Sequence, residues 1–430
     1  MPLPRLPFGP DPLRRARVPK DVESVTARGI EADPADVGMT SEGIERIWEG
    51  VAGVYRGGAH PAIALCVRRA GRVVLDRAIG HARGNGPRDA PGADMVAVGT
   101  DTPFCVYSAS KAITATVVHL LDERGQLHID DRVCEYIPEF GKHGKDAITI
   151  GQVLAHRSGI PNHPREALDL DQLGNRELML RLLCEAKPFS KPGQFVAYHA
   201  LSGGAVLGEI VERVMGKNIR EVLATEILQP LGFRWTNYGV ASEDVPKVAT
   251  NYVTGAPVLP PLSTMLTRLL GAPVGEAVEL SNDPRYLTGV VPAGNIVSTA
   301  NELSRFFELL RRGGEMDGLH ILEPRTIRRA ITKQTHLEVD FTFGVPIGYS
   351  FGFMLGGKRI SLFGPDTEQV FGHLGFTNIL GWADPARGLS VGLITSGKPV
   401  VYPEIFDFLG IMGRIGAAAP KVDQSELTEY

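Results

Sequence analysis

The chain has 430 residues, 43% of them hydrophobic and 22% charged, with a formal net charge of −4 and an isoelectric point near 6.3. That length suits one large globular domain or two intimate ones, and that charge suggests no nucleic-acid or anionic-membrane partner. No apolar run approaches the roughly 18 residues of a membrane span, and residues 1–20 hold prolines and basic residues without an apolar segment, so no signal peptide is expected. Cys66, Cys105, Cys134 and Cys184 show no C-x-x-C spacing, which predicts reduced thiols and a cytoplasmic protein.

The first forty residues are proline-rich and aperiodic and predict an extended surface arm. Thr40 or Ser41 then caps a helix whose Ile44, Ile47, Trp48, Val51 and Val54 fall on one face. Two strands are expected at 62–68 and 72–79, joined at Ala70-Gly71, before a polar loop that leads to Ser108. Helices are predicted at 108–124, 148–156, 175–186, 199–215 and 218–228. The stretch 254–291 has no clean period and reads as a loop with short helices over the site. Further helices are expected at 298–313 and 323–334, strands near 349–356, 358–363, 378–384 and 389–396, and a closing helix at 402–414. Strands at both ends with helices between imply an α+β fold. One antiparallel sheet is built from 1–107 and 291–430, a mainly helical domain spans 108–290, and a cleft lies between them.

Several motifs compete for the chemistry. Gly348-Tyr349-Ser350-Phe351-Gly352 matches the G-x-S-x-G nucleophile elbow, but the residues after it read as strand and turn where that motif needs a helix. Gly352 to Lys358 fits G-x-x-x-x-G-K, but Arg359 replaces the hydroxyl that would hold Mg²⁺. The eleven histidines show no metal-ligand spacing, so no metal or other cofactor is expected. Cys105, in Pro103-Phe104-Cys105-Val106, reads as a packing residue. Ser108-Ala109-Ser110-Lys111 differs from these. On a helix the i,i+3 spacing brings hydroxyl and amine together, and a positioned base is what serine needs for covalent acyl chemistry. The nearly all-apolar segment from Ala112 to Leu121 indicates that this helix is buried on most sides.

Read with Tyr198, at the start of the predicted 199–215 helix, and with Gly372-His373-Leu374-Gly375-Phe376, this motif resembles the serine β-lactamase and penicillin-binding-protein superfamily. Within it the chain is most similar to class C β-lactamases and family VIII carboxylesterases, over roughly 40–415. The segments Asp101 to Lys111, Leu154-Ala155-His156-Arg157-Ser158-Gly159-Ile160 and Ala383-Asp384-Pro385 extend the likeness. The resemblance implies Ser108 as nucleophile, with Lys111 and Tyr198 jointly as its base. It also implies an oxyanion hole from the Ser108 and Phe376 N–H groups, with Gly375 allowing close approach. A Lys111 ammonium is expected to lower the Tyr198 pKa.

Two departures from the β-lactamase pattern bear on the substrate. His373-Leu374-Gly375 replaces Lys-Thr-Gly, and Ala200 replaces the asparagine of Tyr-x-Asn, removing groups that would grip a carboxylate and an amide. Both lean toward neutral short-chain acyl or aryl esters as the small-molecule partner. A β-lactamase, a D-amino-acid peptidase, an acyltransferase and an acylated sensor stand as alternatives. His199, Trp382 and Arg157 are further candidates for the site wall.

Overall fold

The computed structural model describes residues 11–161, 166, 169–173, 175–336 and 338–422. Helix α1, Ser41–Arg56, starts where Thr40 accepts a hydrogen bond from the Gly43 N–H at 3.0 Å, and it buries Ile44, Ile47, Trp48, Val51 and Val54. Strands β1, Ala62–Arg69, and β2, Arg72–Arg83, form the expected hairpin across Ala70-Gly71, both residues at positive φ. Helices α2, Ser110–Glu123, α3, Ser202–Met215, α4, Leu262–Leu270, and α5, Ala300–Arg311, follow. Strands β3, Phe371–Gly375, β4, Ile379–Asp384, and β5, Leu389–Thr395, precede the closing helix α6, Ile405–Ala418.

An N-terminal and a C-terminal strand meet in the middle of one antiparallel sheet. Its order is Thr26–Arg28, β2, β1, β5, β4, β3, Met354–Leu355 and Gly348–Tyr349, with β5 against β1 in a register running from Leu389↔Arg69 to Thr395↔Ile63. The two-residue alternation of a strand sends Ile63, Leu65 and Val67 into the apolar layer beneath α1 and α6. Each such side chain, fully buried, contributes roughly 1.5–3 kcal/mol. The opposite face carries Ala62, Ala64 and Cys66 and is covered by α5. The small residues there permit unusually close layering: a Cβ on Gly392 would lie 2.3 Å from the Ala300 carbonyl, and one on Gly381 would lie 2.4 Å from the Phe307 ring. The architecture is thus a mixed α/β fold with an antiparallel sheet and many helices.

Several elements differ from the sequence reading. The N-terminal arm contributes an edge strand, Thr26–Arg28, paired with β2. The expected strand at 349–356 is two residue pairs separated by a bend, and 358–363 is turn rather than strand. The predicted 108–124 helix opens as a tight 3-10 turn, Tyr107–Ala109, before α2 begins. The 199–215 helix starts only at Ser202, so Tyr198 lies outside it. The patternless 254–291 stretch holds α4 and two shorter helices, Val274–Leu280 and Pro284–Thr288. After the G-x-S-x-G match comes a strand, and Ser350 is fully buried, so no nucleophile elbow forms. Among the described residues no helix is long and apolar enough to cross a membrane, and no group of three or more metal-ligating side chains gathers.

Candidate active site

Ser108 sits in the turn that launches α2, and the turn is held under strain. Tyr107 has φ +49°, a conformation that costs a bulky residue about 1–3 kcal/mol and persists only where its surroundings fix it. They do so from several sides. The Tyr107 hydroxyl is 2.6 Å from Ser281 Oγ, the Val106 N–H donates to the Ile296 carbonyl at 2.8 Å, and Ser110 Oγ accepts from the Ile296 N–H at 3.0 Å. Ser108 is left half-buried at a helix N-terminus, where the backbone dipole favours developing negative charge.

Lys111 lies one turn along. Its Nζ donates to Ser108 Oγ at 3.0 Å and to the Ala293 carbonyl at 2.9 Å, and the residue is 7% exposed. Burial pushes the amine down from 10.5 to about 7, so near neutral pH much of it is unprotonated and able to accept a proton.

Tyr198 completes the cluster from an extended segment. Its N–H reaches Asp340 Oδ1 at 3.4 Å, its carbonyl accepts from Thr342 Oγ1 at 3.2 Å, and the preceding Ala197 N–H donates to the His156 carbonyl at 3.0 Å. The phenol contacts the Ser108 hydroxyl, and Lys111 Nζ stands 4.9 Å from the ring centroid. The expectation of a lowered phenol pKa fails. Burial raises it, Ser108 offsets only part of that rise, and Asp340 adds to it. A lysine that is itself largely neutral supplies no fixed charge to counter desolvation.

The third segment closes on Ser108 from the end of β3. A Cβ on Gly375 would lie 2.3 Å from the Val106 carbonyl, and the Phe376 and Tyr107 rings are 5.5 Å apart, so the end of β3 abuts the Ser108 turn. His373 is buried, with Nδ1 2.8 Å from the Leu374 carbonyl and its ring 6.2 Å from that of Tyr198. Burial lowers its pKa to about 3, so it is neutral. With Nδ1–H donating, the buried Nε2 is an acceptor that meets no hydrogen-bond donor among the described residues.

Other residues at the site carry no periodic signal. His156, at φ +58°, stacks its ring 4.7 Å from Tyr198 and 4.8 Å from Tyr349. Its Nδ1 accepts from the His199 N–H at 3.1 Å and also faces His199 Nδ1 at 3.1 Å, while Ser158 Oγ is 2.6 Å from His199 Nε2. This network assigns a one-way chain in which Ser158 donates to His199 and His199 to His156, so both rings are neutral. The candidate His199 is fully buried, its ring stacked 5.3 Å from that of His156. The motif 154–160 that resembles the family carries two members of this chain. Arg157 instead pairs with Glu338 at 2.6 Å and donates to the Gly193 and Gln334 carbonyls, tying loops together. Trp382 packs in the core, 5.9 Å from the Phe363 ring. Cys105 is buried and its thiol is pushed up to about 11, which suits packing; all four cysteines are free.

Comparisons with known proteins bear on the family and the fold. The chain is 28% identical over 341 residues to "Esterase/beta-lactamase LipL" of Mycobacterium tuberculosis, covering 76% of this chain and 77% of that protein. It is 25% identical over 375 residues to "N-acetylmuramyl-L-alanine amidase" of Bacillus subtilis, covering 80% and 79%. Its fold matches the crystal structure of a family VIII carboxylesterase with a TM-score of 0.72 at 24% identity, covering 88% of this chain and 98% of that one. The beta-lactamase family model matches residues 45–407, most of the length described above, and the chain belongs to that family.

Proposed function

We propose that the protein is a cytoplasmic serine carboxylesterase that cleaves neutral esters through an acyl-enzyme, with Ser108 as nucleophile. One observation carries the reading: the buried Lys111 amine stands 3.0 Å from Ser108 Oγ with its proton affinity reduced toward neutral pH. Ser108 Oγ attacks the ester carbonyl and gives its proton to Lys111. The oxyanion is held by the Ser108 and Phe376 N–H groups, where one preorganised donor is commonly worth about 3 kcal/mol. Tyr198, kept protonated by burial, gives its proton to the departing alcohol and is reprotonated from Lys111. Water then releases the acyl group by the same transfers in reverse, so the enzyme regains its starting protonation and the carboxylic acid product ionises, releasing one proton.

Three features support an ester over a β-lactam or a peptide. Leu374 offers no hydroxyl, Ala200 offers no amide, and His373 is neutral where a fixed cation would hold a carboxylate. Relatives that include an esterase/beta-lactamase and an amidase keep amide cleavage as the competing outcome. The test compares 4-nitrophenyl butyrate, nitrocefin and a D-alanyl amide at equal concentration, with Ser108→Ala as control. Ester turnover that dominates and disappears in the alanine variant is expected. Retention of most activity by that variant excludes Ser108, and faster turnover of nitrocefin or the amide overturns the ester reading.

A further inference from the structure

Beside Tyr198 opens a cleft of about 880 Å³, within the size range of pockets that hold a drug-sized ligand. Its lining includes Phe189, Pro260, Pro261, Met265, Leu269 and Phe341, with Arg268 the one charged residue among the described residues that line it. Helix α4 forms one wall. The other is aromatic, with Phe341 4.6 Å from Phe195 and 6.4 Å from Phe189 between ring centroids. Phe189 and Phe341 are 47% and 60% exposed, an apolar rim set at the mouth of a concave site. Tyr198 lines the cleft, whereas Ser108, Lys111, Gly375 and Phe376 do not, so the space lies on the tyrosine side of the nucleophile.

Resting on the esterase reading above, we propose that this cleft is the alcohol subsite and that the substrate is the ester of a bulky, apolar alcohol. The acyl carbon is bonded to Ser108 Oγ in the intermediate, and its oxygen faces the Phe376 end of β3. The departing oxygen takes its proton from Tyr198, so the carbon skeleton attached to that oxygen continues past the tyrosine into the cleft. Apolar walls recover hydration free energy from a hydrocarbon group there and offer nothing to a charged or strongly hydrated alcohol.

The test uses the full-length protein and two ester series whose leaving alcohols have like acidity, followed by proton release. Acetyl is held constant while the alcohol grows from ethanol to 2-cyclohexylethanol; ethanol is held constant while the acyl group grows from acetyl to octanoyl. kcat/KM is expected to rise at least about tenfold with the alcohol and not with the acyl chain, since pocket filling discriminates on that scale per group. Met265→Trp and, separately, Thr264→Trp fill the cleft and are expected to bring the cyclohexylethyl-to-ethyl ratio toward one, with thermal melting confirming that at least one variant is folded. Esters cleaved without dependence on alcohol size, a gain with acyl length instead, or a ratio untouched in a folded variant overturns the subsite while the esterase reading stands. Absence of all ester turnover, with nitrocefin or the D-alanyl amide consumed, overturns the esterase reading and the subsite with it.

Discussion

Replacing Lys111 with methionine removes an amine that the fold holds at a cost. The unfolded chain keeps the ordinary lysine pKa of 10.5, whereas burial lowers it to about 7 in the native state. At about 1.4 kcal/mol per unit, that difference corresponds to roughly 5 kcal/mol of stability forgone at pH 7 and below. Methionine fills similar space but strands the Ala293 carbonyl, which costs about 1–3 kcal/mol. A net gain of roughly 2–4 kcal/mol below pH 7 is therefore expected. In a chain of this length that raises the melting temperature by roughly 2–4 °C. Between pH 7 and 10.5 the unfolded state binds the extra proton, so wild-type stability climbs with pH and the advantage shrinks by up to about 1.4 kcal/mol per unit, nearly vanishing by about pH 9. Lys398, also lowered to about 7 by burial, titrates in both proteins and cancels in the difference. Melting of the two proteins from pH 6 to pH 9 reads this directly. A methionine variant less stable at pH 6, by a gap that does not change with pH, refutes the neutral amine and with it Lys111 as the base for Ser108.

The same ionisation sets the rate: kcat/KM for a neutral ester rises with pH through about 7 and then levels, and a profile flat from pH 5 to 9 contradicts it. Tyr198→Phe removes the proposed proton donor to the leaving alcohol while keeping the ring against His156 and Phe343, so kcat is expected to fall about 10²- to 10⁴-fold with little change in melting temperature. Retained kcat assigns that proton to another group. Gly392→Ala drives a methyl into the Ala300 carbonyl and costs about 1–3 kcal/mol in urea unfolding. An unchanged midpoint denies the close layering of α5 on the sheet.

The regular parts of this fold were legible because their signals are local. The hairpin of β1 and β2, the strands β4 and β5 and the apolar face of α1 follow from alternation, helical spacing and turn residues within short windows. The Ser108 and Lys111 pair was legible for the same reason, since one helical turn joins them. Tyr198 meets Ser108, but from an extended segment where the sequence predicts the start of a helix. Its segment looks helical in sequence, yet its backbone groups are taken by His156, Asp340 and Thr342, partners up to 144 residues away. The strand Thr26–Arg28 is too short to show a period, and its pairing with β2 is visible only in three dimensions. The phenol's raised pKa runs against the sequence expectation because burial, which no motif encodes, dominates it. The chain from Ser158 to His156 depends on two loop conformations, one at positive φ, and composition carries no trace of it.

The seven-residue seam between Leu389–Thr395 and Ala62–Arg69 also sets a timetable for synthesis. The N-terminal hairpin leaves the ribosome more than 300 residues before its central neighbour exists. At about 5–20 residues per second, the open edge of Ala62–Arg69 and the apolar residues on both its faces wait some tens of seconds for a partner. Premature stops, stalled translation and C-terminal deletions that reach into β5 therefore leave an unpaired, aggregation-prone strand in the middle of the intended sheet, so the yield of folded protein is set near the last tenth of the chain.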